Sequence, residues 1–292
     1  MGPLFTNHAW YELVGLVSLV VAVLLCYWYI NTIIKSTHYN TTNTQKTYFF
    51  TAVILFYLVE GTPFAIIADD YLFSALSLQI SIMSFVVMPL FILSLPKQYL
   101  DIFFWHHKRA KIASLIFAHP WPLAVAFNGL LTVFFIPAFF NIIHDIMFLQ
   151  SICEVLLITL SFLTWWIIIQ PSQEVADHSY FMRAAYVFFT ALFLMPIGIF
   201  LLVVQDPHYT SYTTASGELF PVLTAVYDQQ LAGGLLKFLQ LTSYSIALFY
   251  LLKMWGLREE ENEGKVDEDT RVVQGIVIKL NDRNRRNKGK KR

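Results

Sequence analysis

Glu60, Glu154 and Lys237 each interrupt a run of otherwise apolar residues. Charges set in such runs are expensive in a bilayer and are ordinarily paired or functional. Gln79, Gln150 and Asn128 add amides to other runs of the same kind. Together these six residues suit a polar cavity that binds an ion, a cofactor or a partner's side chain. The plainer alternative is a buried Glu154–Lys237 ion pair with amides bonded between helices, contacts worth under about 2 kcal/mol each. Soft-metal chemistry would need Cys, His or Met gathered in numbers. His8, His144, His208, Met147 and Cys153 are the available donors on the same side. His144 and Cys153 are the metal candidates among them, and they make a thin set, because histidines in loops are usually just solvated. His106 and His107 stand beside Lys108 and Arg109, whose charge repels a cation. There is no Gly-rich phosphate loop, no H-E-x-x-H and no Ser/His/Asp set, so the chain reads as a non-enzyme.

The elements that hold these residues follow from composition. Of 292 residues 57% are apolar, 16% aromatic and 14% charged. An average soluble domain carries about 25% charge, so a soluble enzyme, a disordered chain and a secreted disulfide scaffold are excluded. Cys26 and Cys153 both sit in apolar runs and imply no disulfide framework. A spanning helix needs about 20 apolar residues. Seven runs qualify: 11–34, 48–67, 72–95, 121–139, 147–169, 182–204 and 231–254. Only helices and closed barrels satisfy their backbone in lipid, and these runs are too long and too uniform for strands. The expected fold is an all-α polytopic membrane protein, with a seven-helix domain over 1–255. Pro120 and Pro122 should mark the start of the fourth span and Pro137 its fraying end.

Charge orients the spans. Net charge is zero, with 20 Lys+Arg against 20 Asp+Glu. Lys35 and Lys46, then Lys97, Lys108, Arg109 and Lys111, then Arg183 occupy the odd-numbered loops. The second, fourth and sixth loops have no Lys or Arg, and 11 basic residues follow Gly256. Positive loops stay inside, which puts the N-terminus outside and the C-terminus inside. Trp28, Trp105, Trp121, Trp165, Trp166 and Trp255 fall near the expected inner interface and Trp10 near the outer one, as membrane anchors. Residues 97–118 mix apolar and basic positions, as in a helix lying in the inner interface. The tail, 256–292, opens acidic, ends basic and should be largely disordered, although 272–280 has the composition to pair. Its basic end suits anionic lipid at roughly 1 kcal/mol per charge, and equally suits a tail that merely fixes topology. Nothing in the chain calls for nucleic acid. On this frame Glu60, Glu154 and Lys237 all lie roughly 10 Å below the outer surface.

Several motifs carry a resemblance. They are Tyr71-Leu72-Phe73-Ser74-Ala75, Leu78-Gln79, the stretch MPLFILSLP at 88–96, Phe127-Asn128-Gly129, Ile136-Pro137, Trp165-Trp166, Asp228-Gln229-Gln230-Leu231 and Gly233-Gly234. In order and spacing over about 50–255 the chain resembles the CtaG family, seven-span bacterial membrane proteins that assist assembly of haem–copper cytochrome oxidases. The resemblance implies a multi-pass protein of the bacterial cytoplasmic membrane in a respiratory chain, with an oxidase subunit as partner. It marks Phe73, Ser74, Asn128, Gly129, Pro137, Asp228, Gln229 and Gln230 as motif positions. Copper is implied by the resemblance alone, since the family is proposed to help place it in the oxidase core. The chain departs from the family at the metal positions. Leu76, Ile80 and Phe135 stand where the family has histidines, and Gln150 and Glu154 lie near two more. Leu76 and Ile80 are four apart, one helix face, yet neither can ligate copper. The expectation is a divergent assembly factor lacking the usual copper site. The alternatives are a metallochaperone with substitute ligands at His144, Cys153 and Glu154, and a small-molecule transporter.

Overall fold

The computed structural model describes residues 13–104, 119–172, 177–215 and 217–262, and the backbone of 265–267, 270–273 and 276–279. Helix α1 spans Leu16–Tyr29 and continues as a π-helical turn, Ile30–Ile34. Helix α2, Asn43–Glu60, opens on a capping box: Thr42 accepts from Gln45 N at 3.2 Å and Gln45 accepts from Thr42 N at 3.0 Å. Gly61 and Thr62 break it, and α3 (Pro63–Ile66, then a π turn Ile67–Tyr71) leaves at 48°. Helix α4 runs Phe73–Leu93 and α5 Lys97–Phe104. Helix α6, Pro120–Phe135, meets α7, Pro137–His144, at 79°. Then come α8 (Met147–Ile169), α9 (Tyr180–Val203), α10 (Thr210–Ala215) and α11 (Ala225–Asn262).

Five of these helices are long and apolar enough to cross a membrane, and seven spans result when each bent pair counts as one. Their outer faces are apolar, with Val17, Leu24, Phe238 and Phe249 all exposed. Helices apolar on every side belong in lipid. The element ends differ from expectation in three places. The second run breaks after Glu60 rather than running straight to 67. The fourth does not fray at Pro137 but turns sharply there. The seventh extends from 225 to 262, beyond 231–254 at both ends. The tail expected to be disordered carries this helix end and three short strands: β1 (Lys265–Asp267), β2 (Thr270–Val273) and β3 (Ile276–Lys279). They form an antiparallel meander in which Val272 pairs with Val277 and Val273 with Ile276. The basic end, 280–292, and residues 105–118, with His106 and His107, lie outside the described residues, as do His8 and Trp10.

Helix α4 is the most buried of the spanning candidates; it packs against α2, α8 and α11, with α9 on α11 and α6 touching α8 and α9. Its middle is a π-helical turn, Met83–Val87, and the cause is local. Pro89 has no N–H to return to the preceding turn. Met88 N reaches back to Met83 O instead, leaving the Ser84 and Phe85 carbonyls free. Free carbonyls in lipid must find donors. Ser84 O accepts from Ser161 Oγ at 2.7 Å and Trp165 Nε1 at 2.8 Å, and Phe85 O from Ser243 Oγ at 2.7 Å. Trp165 is therefore a core residue rather than an interfacial anchor, and Trp166 is buried beside it. Trp121 and Trp255 are exposed, as anchors require.

Helix α1 joins the bundle beside the break that ends α2. Ser18 Oγ donates to Glu60 O at 2.8 Å and Tyr57 OH to Val14 O at 3.1 Å. Gly15 has φ +53°, and a Cβ there would stand 2.7 Å from Gly61 Cα, so only glycine fits. At the other end α8 stops on Gln170, φ +48°. Arg183, expected at the edge of a loop, is buried in α9 and caps that stop. Its Nε donates to Ile168 O at 2.9 Å, and its Nη2 to Ile168 O at 2.6 Å and Ile169 O at 2.8 Å.

Candidate functional site

Four of the six expected polar residues come together where α2 breaks. Glu60 closes α2, Gln79 lies on α4, and Gln150 and Glu154 share one face of α8. Gln150 Nε2 donates to Glu154 Oε1 at 2.9 Å and to Asp69 Oδ1 at 3.1 Å. Gln79 stands beside Glu60 in the same wall, and Glu60, Glu154 and Asp69 are close enough to repel one another. Glu60, Gln79 and Glu154, with Ile80, Met83, Ser84, Leu157 and Ile158, line a cavity of about 20 Å³, room for about one water.

Asp69 was not among the expected site residues. Read along the chain, it sits beside Asp70 in the loop between two apolar runs, the usual place for a solvated acid. The 48° bend folds that loop back as α3 and brings Asp69 to Gln150. The only signal in the sequence was the apolar stretch Ala65-Ile66-Ile67-Ala68 just before it, which favours a helix over an open loop.

Asn128 and Lys237 do not join the cluster. Asn128 Nδ2 donates to Ala124 O of its own helix at 2.8 Å, and its Oδ1 has no hydrogen-bond partner. Lys237 Nζ donates to Gln240 Oε1 at 2.5 Å, while Gln240 Nε2 reaches Ala191 O at 3.4 Å. The lysine stem lies across Gly198, where a Cβ would come within 2.2 Å of Lys237 Cδ. The expected Glu154–Lys237 ion pair is therefore not formed: the lysine faces α9 and the glutamate faces Gln150.

The motif positions make a second polar site. The first turn of α4 has no cap of its own, since Leu72 precedes it. Asp228 on α11 caps it from a distance of 155 residues in sequence. Its Oδ2 accepts from Phe73 N at 2.7 Å, and its Oδ1 accepts from Ser74 N at 3.1 Å and from Ser74 Oγ. A carboxylate at a helix N-terminus satisfies orphan N–H groups and complements the dipole. Gln229 and Gln230 fix the adjoining sixth loop. Gln229 Oε1 accepts from His208 N at 3.1 Å, Gln229 Nε2 donates to Asp206 O at 3.3 Å, and Gln230 Nε2 donates to Val204 O at 2.9 Å. Phe73 stacks on Tyr209 at 3.8 Å, Tyr209 OH donates to Phe135 O at 2.6 Å, and Tyr212 OH to Ala68 O at 2.6 Å. Pro137 supplies the sharp turn into α7, whose Asn141 Nδ2 donates to His208 O at 3.1 Å. Phe73, Ser74, Pro137, Asp228, Gln229 and Gln230 are thus one clamp over the end of the bundle where α4 begins. A Cβ at Gly129 would meet nothing within 4 Å, and nothing in the structure explains glycine there.

The metal question turns on donors. Leu76, Ile80 and Phe135, where the resemblance places histidines, are buried and apolar. His144 stacks on Phe140 at 5.2 Å, its Nδ1 has no hydrogen-bond partner, and Cys153 is a buried free thiol. Among the described residues no three of His, Cys, Asp and Glu are placed to hold a metal ion. The residues present do not fit the copper site that the resemblance implies.

No curated protein and no solved structure matches the chain. A family model does, over residues 25–257, which takes in both the clamp and the acidic pocket. The chain belongs to the cytochrome c oxidase caa3 assembly factor family, Caa3_CtaG.

Proposed function

We propose that this chain assists assembly of a haem–copper oxidase by docking on an oxidase subunit within the bilayer, without a copper site of its own. The observation that carries the reading is the family match over 25–257, which makes the chain a cytochrome c oxidase assembly factor with an oxidase partner. The copper-free part is supported by Leu76, Ile80 and Phe135, three buried side chains without a donor atom. On this reading the contribution is contact and placement rather than chemistry, supported by a sequence without a recognisable nucleophile–base motif. The reading includes seven spans in a bacterial cytoplasmic membrane, N-terminus outside, supported by the segregation of Lys and Arg into alternate loops. Reporter fusions after Asn141 and after Asn262 should read outside and inside respectively; the reverse at either site overturns the topology.

Oxidase activity in a strain lacking the gene should fall, and added copper should not restore it. The purified protein should likewise hold no copper after treatment with a strong chelator. Restoration by copper, or a stoichiometric ion that survives chelation, would reject the copper-free reading in favour of substitute ligands such as His144 and Cys153.

A further inference from the structure

The pocket between α2, α4 and α8 is made of acceptors and wants a donor. Glu60 and Glu154 are half-buried carboxylates on its walls. Gln79, only 7% exposed, lines the same pocket and leaves its Oε1 without a partner. Among the described residues no basic side chain pairs with either glutamate, and Lys237 is spent on Gln240. Carboxylates held this close together with no basic partner are costly unless something supplies positive charge or a proton. A cavity of about 20 Å³ admits an ammonium, which is near water in size, and is too small for a guanidinium. Among the described residues no third His, Cys, Asp or Glu joins the two glutamates in a group placed to hold a metal ion.

The pocket also opens onto a path. Its Met83 and Ile158 are shared with an apolar groove of about 370 Å³ lined by Leu25, Val53, Phe56 and Phe162 among others. The groove runs between α2 and α8, with α4 as its floor. An occupant must therefore be apolar along its length and cationic at one height. A lipid amine is a poor match: its ammonium lies beyond a phosphate, at headgroup level. A lysine carries an ammonium on a four-carbon stem and presents it at whatever depth its helix dictates.

We propose that this flank docks a partner's transmembrane helix bearing one lysine, its ammonium seated among Glu60, Glu154 and Gln79 Oε1. Only the identification of that helix with an oxidase subunit rests on the assembly reading above. The test uses the full chain in lipid nanodiscs and a dye-labelled synthetic Leu/Ala spanning helix with one lysine at the depth of the pocket. Its twin has norleucine in place of lysine. Energy transfer should show the lysine peptide binding about tenfold tighter or more. The preference should vanish in Glu60→Gln/Glu154→Gln, with helix content unchanged. Equal binding of the two peptides to the wild-type protein overturns the proposal, and that comparison needs no folded variant. Loss of the preference when phosphatidylethanolamine is added to the nanodiscs also overturns it, since the lipid amine would then be the occupant. Peptide discrimination without an oxidase defect in the gene-deleted strain would sink the assembly reading and leave the pocket standing; the converse would sink the pocket alone.

Discussion

Replacing Asp228 with alanine should destabilise the protein by about 2–4 kcal/mol, since each buried donor left unpaired costs about 1–3 kcal/mol. The carboxylate holds Phe73 N, Ser74 N and Ser74 Oγ, and no other side chain caps α4. An isolated N-cap is worth about 0.5–2 kcal/mol, but this one also ties α4 to α11. The loss should appear as a lower midpoint of thermal unfolding in detergent. Asp228→Asn keeps one acceptor but turns an N–H₂ toward backbone N–H groups, so it should recover only part of the loss. Ser74→Ala, which removes one bond of the set, should be milder than either. An Asp228→Ala protein as stable as wild type would mean that the clamp is not what holds this end of the bundle together.

Arg183→Ala should be comparably severe, about 2–4 kcal/mol, for the opposite helix end. The guanidinium fork is shared between Ile168 O and Ile169 O, carbonyls that α8 leaves without donors when it stops at Gln170. A cation at a helix C-terminus is also favoured by the dipole. Arg183→Lys offers a point charge rather than a planar fork and cannot reproduce that geometry, so it should rescue partially. If lysine restores full stability, charge rather than the fork is what matters; if alanine itself is tolerated, the cap carries no weight.

Both contacts show what a sequence can and cannot reveal. The positions of the long helices were legible because run length and apolar character are local properties. The bend at Pro137 was half legible: proline marked the place, while the 79° angle comes from the packing of α7 under Tyr209 and His208. The Glu154–Lys237 pairing failed for a geometric reason. Equal depth fixes height along two helices but says nothing of the direction each side chain faces. Lys237 shares a face with Gln240, three residues on, and that face meets Gly198 and Ala191 of α9. Glu154 shares its face with Gln150, four residues back, and Gln150 bridges it to Asp69. Trp165 was misassigned because a tryptophan near a span's end is ordinarily an anchor, whereas here Pro89, far off in sequence, frees the carbonyl that it bonds. The motif residues were recognisable as a set, but their common purpose as a clamp emerges only when Phe73 and Asp228 are seen to touch.

The central claim is that an oxidase depends on this chain for its assembly. The most direct measurement is the amount of assembled oxidase in membranes of a strain lacking the gene, read from the reduced-minus-oxidised haem absorbance with oxidase transcripts monitored alongside. The account predicts that the absorbance falls while transcripts hold, and that re-expression of the full chain restores it. Haem absorbance equal to wild type in the gene-deleted strain would contradict the account.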